Sequence, residues 1–196
     1  EDQIQHLKEI VIPPIELNIS QNYNHKILKI SESNSAKSYK FDRSKLEQIE
    51  QVEYTLEKDE KTAARILPVF TWLSKFLPNV KSVELDFSSL RRCSQAAAEN
   101  TIQKFLSAIL SQHQNLEEID IDASSVPIDD SCAVFLVEKI LPQIKNLKAF
   151  SCNMFKTKVT SQTLQAFAQA NFAANQPNLE KFRLNVTGAS FKDEDV

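Results

Sequence analysis

The sequence is almost devoid of glycine: Gly188 is the single one among 196 residues. This excludes the nucleotide-binding folds whose glycine-rich loops approach a phosphate closely. The sequence also lacks any apolar run near the roughly 18 residues of a membrane span, so no membrane partner is predicted. Its net charge of −3 argues against a nucleic-acid partner, which normally faces a basic surface.

Cysteine is scarce as well, and its spacing excludes several kinds of site. The three cysteines are Cys93, Cys132 and Cys152. An odd number without C-x-x-C spacing favours reduced thiols and a cytoplasmic location over a disulfide framework. Cys152 occupies a predicted core position, and His113 is placed where its charge would cap the end of a helix.

No motif of the sequence indicates catalysis. The histidines are isolated, and no nucleophile is spaced with a base or a phosphate-binding loop. The segment "DIDASSVPIDD" begins like a calcium loop but lacks its glycine at position six and its glutamate at position twelve. We therefore predict no enzyme activity, no cofactor and no metal site.

A hydrophobic pattern of the form L-x-x-L-x-L recurs along the chain. Its first residues are Ile12, Ile49, Val80, Leu116, Leu147 and Leu179, with spacings of 37, 31, 36, 31 and 32 residues. Asparagine precedes the first apolar residue in the last four units, as Asn79, Asn115, Asn146 and Asn178. A recurrence every 31 to 37 residues is typical of repeat architectures.

Helical patterns separate these short strands. They cover residues 59–76, 94–112, 129–141 and 160–174. Ser94 is the predicted N-cap of the second helix, and Pro68 is expected to break or restart the first. The third helix is expected to stop before Pro142.

This alternation of strand and helix resembles the leucine-rich repeat family in its ribonuclease-inhibitor-like form. The resemblance covers residues 46–196 and implies an α/β solenoid with a parallel concave sheet and convex helices. Residues 1–45 are predicted to be an N-terminal repeat or a capping segment, with a hairpin over "ISQNYNHKILKIS" as the alternative. No helical pattern follows the last strand, near Val186, so we expect the solenoid to continue beyond the chain end or to be capped by another chain.

The resemblance also predicts which side chains leave the core. Positions one, four and six of each unit point inward, and positions three, five and seven face outward on the concave sheet. The fifth positions are Glu16, Glu53, Glu84, Asp120, Ser151 and Arg183. The predicted partner-binding residues are Glu53, Glu84, Asp86, Glu118, Asp120, Asp122 and Arg183. A solvated acidic surface without a partner is the competing interpretation.

The sequence thus predicts a non-catalytic module, or scaffold, that binds a protein with a basic surface. Two alternatives stay open. The chain is a regulatory or docking segment of a larger enzyme, or it is a structural subunit of a large assembly that is held by its convex helices.

Overall fold

A computed structural model shows a mixed α/β fold with one open seven-stranded sheet whose strands follow chain order. The structure describes residues 9–22, 24–56, 60–113, 115–170 and 175–191. The strands are β1 (Glu9–Asn22), β2 (Ile27–Asp42), β3 (Gln51–Thr55), β4 (Ser82–Asp86), β5 (Glu118–Asp122), β6 (Ala149–Asn153) and β7 (Lys181–Asn185). β1 and β2 are antiparallel, and every later pair is parallel.

Helices lie between the parallel strands. The α-helices of the described residues are α1 (Arg43–Leu46), α2 (Glu60–Ser74), α3 (Gln95–Phe105), α4 (Asp130–Phe135) and α5 (Ser161–Gln169). Helices α3 and α4 each continue into one π-helical turn, Leu106–Leu110 and Leu136–Ile140. Short 3₁₀ segments span Ser88–Arg92 and Leu141–Gln143.

The core lies between the sheet and the helices, and strand alternation builds it. In each strand from β3 to β6, the second and fourth residues are buried, as Val52 and Tyr54 are in β3. Their neighbours on the strand point to the opposite face, because side chains alternate along an extended chain. The parallel pairing that the pattern predicts for the units from Ile49 onward is confirmed.

Two of the asparagines that precede the strands connect consecutive units. The Asn79 side chain donates from Nδ2 to the carbonyl of Glu47 at 2.6 Å. The Asn115 side chain donates to the carbonyl of Pro78 at 3.4 Å. Each bond satisfies the carbonyl that lies two residues before the first apolar residue of the preceding unit, which gives these two asparagines a physical reason.

The first unit differs from the prediction. Ile12, Ile15 and Leu17 lie in β1, which pairs antiparallel with β2 and does not contact β3 as a parallel strand. The hairpin alternative is confirmed, and Ile27–Ser31 of β2 is the parallel neighbour of β3. β1 contains Pro13 and Pro14, and its register shifts around them. Proline lacks the N–H that an internal strand needs, so this segment suits the edge of the sheet.

The predicted helices are present over their described residues, with two differences in detail, while residue 59 and residues 171–174 of the predicted ranges lie outside the described part of the chain. Ser94 caps α3 by accepting the N–H of Ala97. α2 runs through Pro68 without a break, contrary to the prediction. Pro68 is exposed, so the missing N–H falls on the side of the helix that water can reach. Pro142 does not end the third helical region abruptly, because the chain tightens there into the 3₁₀ segment.

Tyr54 provides a test of the core. Its buried hydroxyl lies 3.3 Å from Oγ of Ser74, which itself donates to the carbonyl of Phe70 at 2.9 Å. Tyr54 must therefore be the donor, and burial raises its pKa to about 12.

We expect Tyr54→Phe to lower the free energy of unfolding by about 1 kcal/mol in urea denaturation, the usual net value of one hydrogen bond. No loss would contradict the bond.

Candidate partner-binding site

The parallel register aligns the outward side chains in three straight rows. The row of first strand residues is Ile27, Gln51, Ser82, Glu118, Ala149 and Lys181. The middle row is Lys29, Glu53, Glu84, Asp120, Ser151 and Arg183. The last row is Ser31, Thr55, Asp86, Asp122, Asn153 and Asn185. All seven sequence-predicted site residues therefore lie on one face, which we call the open face.

Acids concentrate where β4 and β5 cross the middle of the open face. Glu84 stands between Glu53 and Asp120 in the middle row, and Glu118 is beside Asp120 on the same strand. Glu84, Glu118 and Asp120 are exposed to solvent. Neighbouring parallel strands lie about 4.8 Å apart, so these carboxylates repel one another. We call these three residues the acidic patch.

Partial burial, together with the neighbouring acids, changes the proton affinity of the central carboxylate, Glu84. The pKa of Glu84 is raised, first by partial burial and then by the charges of Glu53 and Asp120, against the opposing charge of Lys29. Ionised Glu84 is thus less stable on the folded protein than in water. A cation placed over the acidic patch would reverse this effect, since it favours the charged form.

Glu53 is already partnered within the chain. Its Oε2 is 2.5 Å from Nζ of Lys29, and only 18% of its side chain is exposed. Gln51 also donates from Nε2 to Oε1 of Glu53 at 3.3 Å. Sequence reasoning missed Lys29, because it placed Glu16 of β1 in this row. The correct neighbour follows only from the hairpin, which brings β2 next to β3.

Asp86 and Asp122 end their strands and close the turns that follow. Oδ1 of each accepts the backbone N–H two residues later, at 2.9 Å for Asp86 and 2.8 Å for Asp122. Asn153 and Asn185 close the same turn in the next two units, at 3.2 and 3.1 Å. This is the hydrogen bond that favours Asp and Asn in turns. These two predicted site residues therefore have a structural role that sequence reasoning missed.

The side chains of this last row also bond across strands. Nδ2 of Asn153 donates to Oδ1 of Asp122 at 3.3 Å, and Nδ2 of Asn185 donates to Oδ1 of Asn153 at 3.0 Å. The recurrence of Asp or Asn at position seven of the last four units is the signal that would have revealed the row.

The open face becomes basic on its last strand. Lys181 and Arg183 are exposed on β7, and the small side chains of Ala149 and Ser151 separate them from the acidic patch. A depression of about 260 Å³ lies over these small residues, bordered by acids on one side and by cations on the other. Arg183 is thus not a member of the acidic patch but lies on the opposite wall of this depression.

A second charged row, which sequence reasoning also missed, borders the open face where the strands begin. It consists of Lys26, Glu50, Lys81, Glu117, Lys148 and Glu180, so the sign alternates from unit to unit. Lys26 is 2.5 Å from Glu50, and Lys148 is 2.7 Å from Glu117. Lys81 reaches Glu50 at 3.6 Å. We call this the alternating rim. Position two of the last five repeats is the sequence signal for the rim from Glu50 onward, and Lys26 joins it only through the hairpin.

Cys132, Cys152 and His113 are buried, and burial shifts the pKa of each. Burial raises the pKa of Cys132 to about 12 and raises that of Cys152 as well. His113 is 4% exposed, and burial lowers its pKa to about 4, so it is neutral at pH 7. The prediction that its charge caps a helix is therefore wrong. Among the described residues, no group of His, Cys, Asp and Glu is placed to hold a metal ion.

Comparisons with known proteins do not identify a family for this chain. No family model matches this sequence, and no curated protein matches it. Within the part of the chain that the structure describes, no helix combines the length and the apolarity needed to cross a membrane.

The closing role of Asp122 predicts a stability difference between two acids of one strand. Asp122→Ala removes the acceptor of the Ser124 N–H and of Asn153, so we expect a loss of about 1–2 kcal/mol in the free energy of unfolding. Asp122→Asn keeps that acceptor and serves as the conservative control. Asp120→Ala should change stability by less than about 0.5 kcal/mol. Equal losses for the two alanine variants in urea denaturation would contradict this assignment.

The raised pKa of Glu84 predicts a pH-dependent gain from neutralising it. Because the folded pKa lies above the unfolded one, ionisation destabilises the native state as pH rises through that window. Glu84→Gln should therefore raise the free energy of unfolding at pH 7 by roughly 0.5 kcal/mol, the cost of like charges across strands. The gain should disappear below the unfolded pKa, where both forms are neutral.

Glu118→Gln is the matched control for this experiment, since its cross-strand neighbours are the uncharged Ser82 and Ala149. Its effect on stability at pH 7 should be smaller. A gain for Glu84→Gln that persists unchanged at low pH would show that charge is not the cause.

Proposed function

We propose that this chain is a leucine-rich-repeat-like solenoid that serves as a non-catalytic module for binding another protein. Its partner presents Lys and Arg side chains to the acidic patch of Glu84, Glu118 and Asp120. The setting we propose is cytoplasmic. The repeated strand and helix units and the in-register parallel sheet support the solenoid.

The observation that carries the proposal is the contrast between two parallel rows of charge. In the alternating rim, each acid lies beside a lysine of a neighbouring unit. In the middle row of the open face, Glu84 is placed between two other acids. Acids and lysines thus neutralise one another along the alternating rim, whereas negative charge accumulates in the middle row of the open face. A basic partner would offset the repulsion that the free protein tolerates.

Contacts within the chain distinguish the residues that we propose as the main contacts of the partner from the other predicted site residues. Glu53 is held by Lys29, and Asp86 and Asp122 close turns, so these three contribute to the negative field but offer fewer oxygen atoms to a partner. Arg183 lies on the basic wall and would contact an acidic group of the partner. The depression between the walls favours a partner surface that carries both signs.

A second candidate function is a structural subunit that is held through its helices. It is favoured by a cavity of about 600 Å³ on the helix side, between α4 and α5, lined by glutamines and by apolar residues such as Val134 and Ala166. Such an interface would resist salt, because burial of apolar surface is not screened. A docking role within a larger enzyme is compatible with either surface.

Affinity capture from native lysate tests the proposal. We expect a protein partner to be retained by the wild type at low salt and lost at moderate salt. The variant Glu84→Gln, Glu118→Gln and Asp120→Asn should lose the same partner at low salt, because it lacks the charges that the partner recognises. Moderate salt should have the same effect on the wild type, because it screens contacts between exposed charges.

A charge-matched control removes three acids away from the open face, by Glu47→Gln, Glu99→Gln and Glu138→Gln. Each glutamine keeps an oxygen that accepts the hydrogen bonds made by Glu47 and Glu99. This control should retain the partner. A partner held by the acidic-patch variant and in moderate salt would move the interface to the helices and contradict the proposed site.

A further inference from the structure

His113 has a buried ring nitrogen without a hydrogen-bond partner. The residue is 4% exposed, and its Nε2 makes no hydrogen bond. The ring is bonded instead to the backbone carbonyl of Leu77, at the end of the preceding unit, and Nδ1 is therefore the donor. Because the neutral ring holds only one proton, Nε2 is an acceptor. A buried acceptor that stays unpaired costs free energy, so its presence requires an explanation.

The fold itself does not require a polar group at this position of the repeat. Leu77, His113, Ile144 and Gln176 each stand three residues before the first apolar residue of a unit, and all four are buried. Leucine and isoleucine fill the position in two of these units. Among the described residues, the buried side-chain nitrogen and oxygen atoms without a partner belong to His113 and Gln176. The two polar exceptions at this position thus coincide with the two unmet hydrogen bonds.

A cavity of about 370 Å³ lies beside His113, between the helical regions of two consecutive units. Its buried lining includes Leu110 and Ile140, which end the two π-helical turns, and also Ile144. Ile140 and Ile144 belong to the following unit, whereas Nδ1 of His113 points to the preceding one. The two nitrogens lie on different sides of the ring, so Nε2 faces the unit that borders the cavity. The volume falls within the range of small-molecule pockets, roughly 300–1,000 Å³.

The mouth of this cavity is polar and carries one charge. Its exposed lining residues are Ser111, Gln143 and Lys145. The Ser111 hydroxyl donates to the carbonyl of Ser107, and Nε2 of Gln143 donates to the carbonyl of Lys139. The ammonium of Lys145 is the one charged group among the described residues that line the cavity. A ligand would therefore meet apolar side chains and an acceptor inside, and a positive charge at the mouth.

These features define the chemistry of the ligand. Its inner end must donate a hydrogen bond to Nε2 of His113. A cationic donor is disfavoured, because no described acid lines the cavity and Lys145 would repel it. An amide would bring its carbonyl against apolar side chains as well. A hydroxyl on an apolar ring avoids both costs, and a phenolic hydroxyl is both rigidly held and acidic enough to be a good donor.

We propose that the cavity beside His113 binds a small hydroxyaryl acid, whose hydroxyl donates to Nε2 and whose acidic group pairs with Lys145. The ring of this ligand packs against Leu110, Ile140 and Ile144. The site uses a polar group that the fold could replace by leucine, and binding would supply the hydrogen bond that the free protein lacks. It shares no residue with the acidic patch, so it does not rest on the proposed function.

Isothermal titration calorimetry with two matched acids tests the role of the hydroxyl. We expect 4-hydroxyphenylacetate to bind the full chain about tenfold more tightly than phenylacetate, which would leave Nε2 unpaired. NMR of the isotopically labelled protein gives a direct readout of the acceptor. The Nε2 resonance of His113 should move on addition of 4-hydroxyphenylacetate, because the nitrogen accepts a hydrogen bond, and it should move much less with phenylacetate.

Three variants separate the contributions of the two ends of the ligand. His113→Leu should abolish the difference between the two acids and leave the chain folded, because Leu77 fills the same position of the repeat. Lys145→Gln should weaken both acids by a similar factor and preserve their ratio. Lys104→Gln removes an equal charge from an exposed position of α3 that does not line this cavity, so it should change neither affinity.

Equal affinities of the two acids for the wild type would overturn the proposal, and so would a failure of 4-hydroxyphenylacetate to reach saturation. An Nε2 resonance that stays in place while this acid binds would locate the acid elsewhere on the molecule. A preference for the hydroxylated acid that survives His113→Leu would lead to the same conclusion. None of these results bears on whether a protein partner depends on Glu84, Glu118 and Asp120.

Discussion

The in-register pairing of the parallel strands is the constraint on which the rest of the structure depends. Backbone bonds fix both ends of a strand: the carbonyl of Glu50 accepts the N–H groups of Lys81 and Ser82, and the N–H of Phe87 donates to the carbonyl of Asp122. A slip of one residue would turn the buried apolar residues outward and the charges inward, at a prohibitive cost. The straight rows of the open face follow from this register.

The sequence predicts the part of the fold that depends on local pattern. Buried and outward residues alternate along each strand from β3 to β6. The sequence alone therefore predicts which residues stand in the rows of the open face from β3 onward. The N-terminal strands are different, because both Ile12–Leu17 and Leu28–Ile30 offer plausible apolar residues for pairing with β3. That choice is made by long-range pairing, and Lys29 was missed for this reason. Pro13 and Pro14 were the local indication that β1 belongs at an edge.

The sequence predicts the face on which the candidate site residues lie, but it does not predict the different roles of the acids among them. Asp120 and Asp122 are the same residue type, two positions apart on one strand. One is exposed in the acidic patch, and the other closes a turn and accepts a bond from Asn153. Composition alone does not separate these roles, because the distinction depends on where the strand ends. Comparison of position seven across units does separate them, since asparagine replaces aspartate there and performs the same bond.

Charge changes sign from one unit to the next along the alternating rim, so removing one unit and removing two have different consequences. Loss of the unit that contains β5 would bring Lys81 beside Lys148, two like charges at a position where the native chain has opposite ones. Loss of the units of β4 and β5 together would bring Glu50 beside Lys148 and restore the alternation. At the rim, removal of one unit would therefore cost more electrostatically than removal of two neighbouring units.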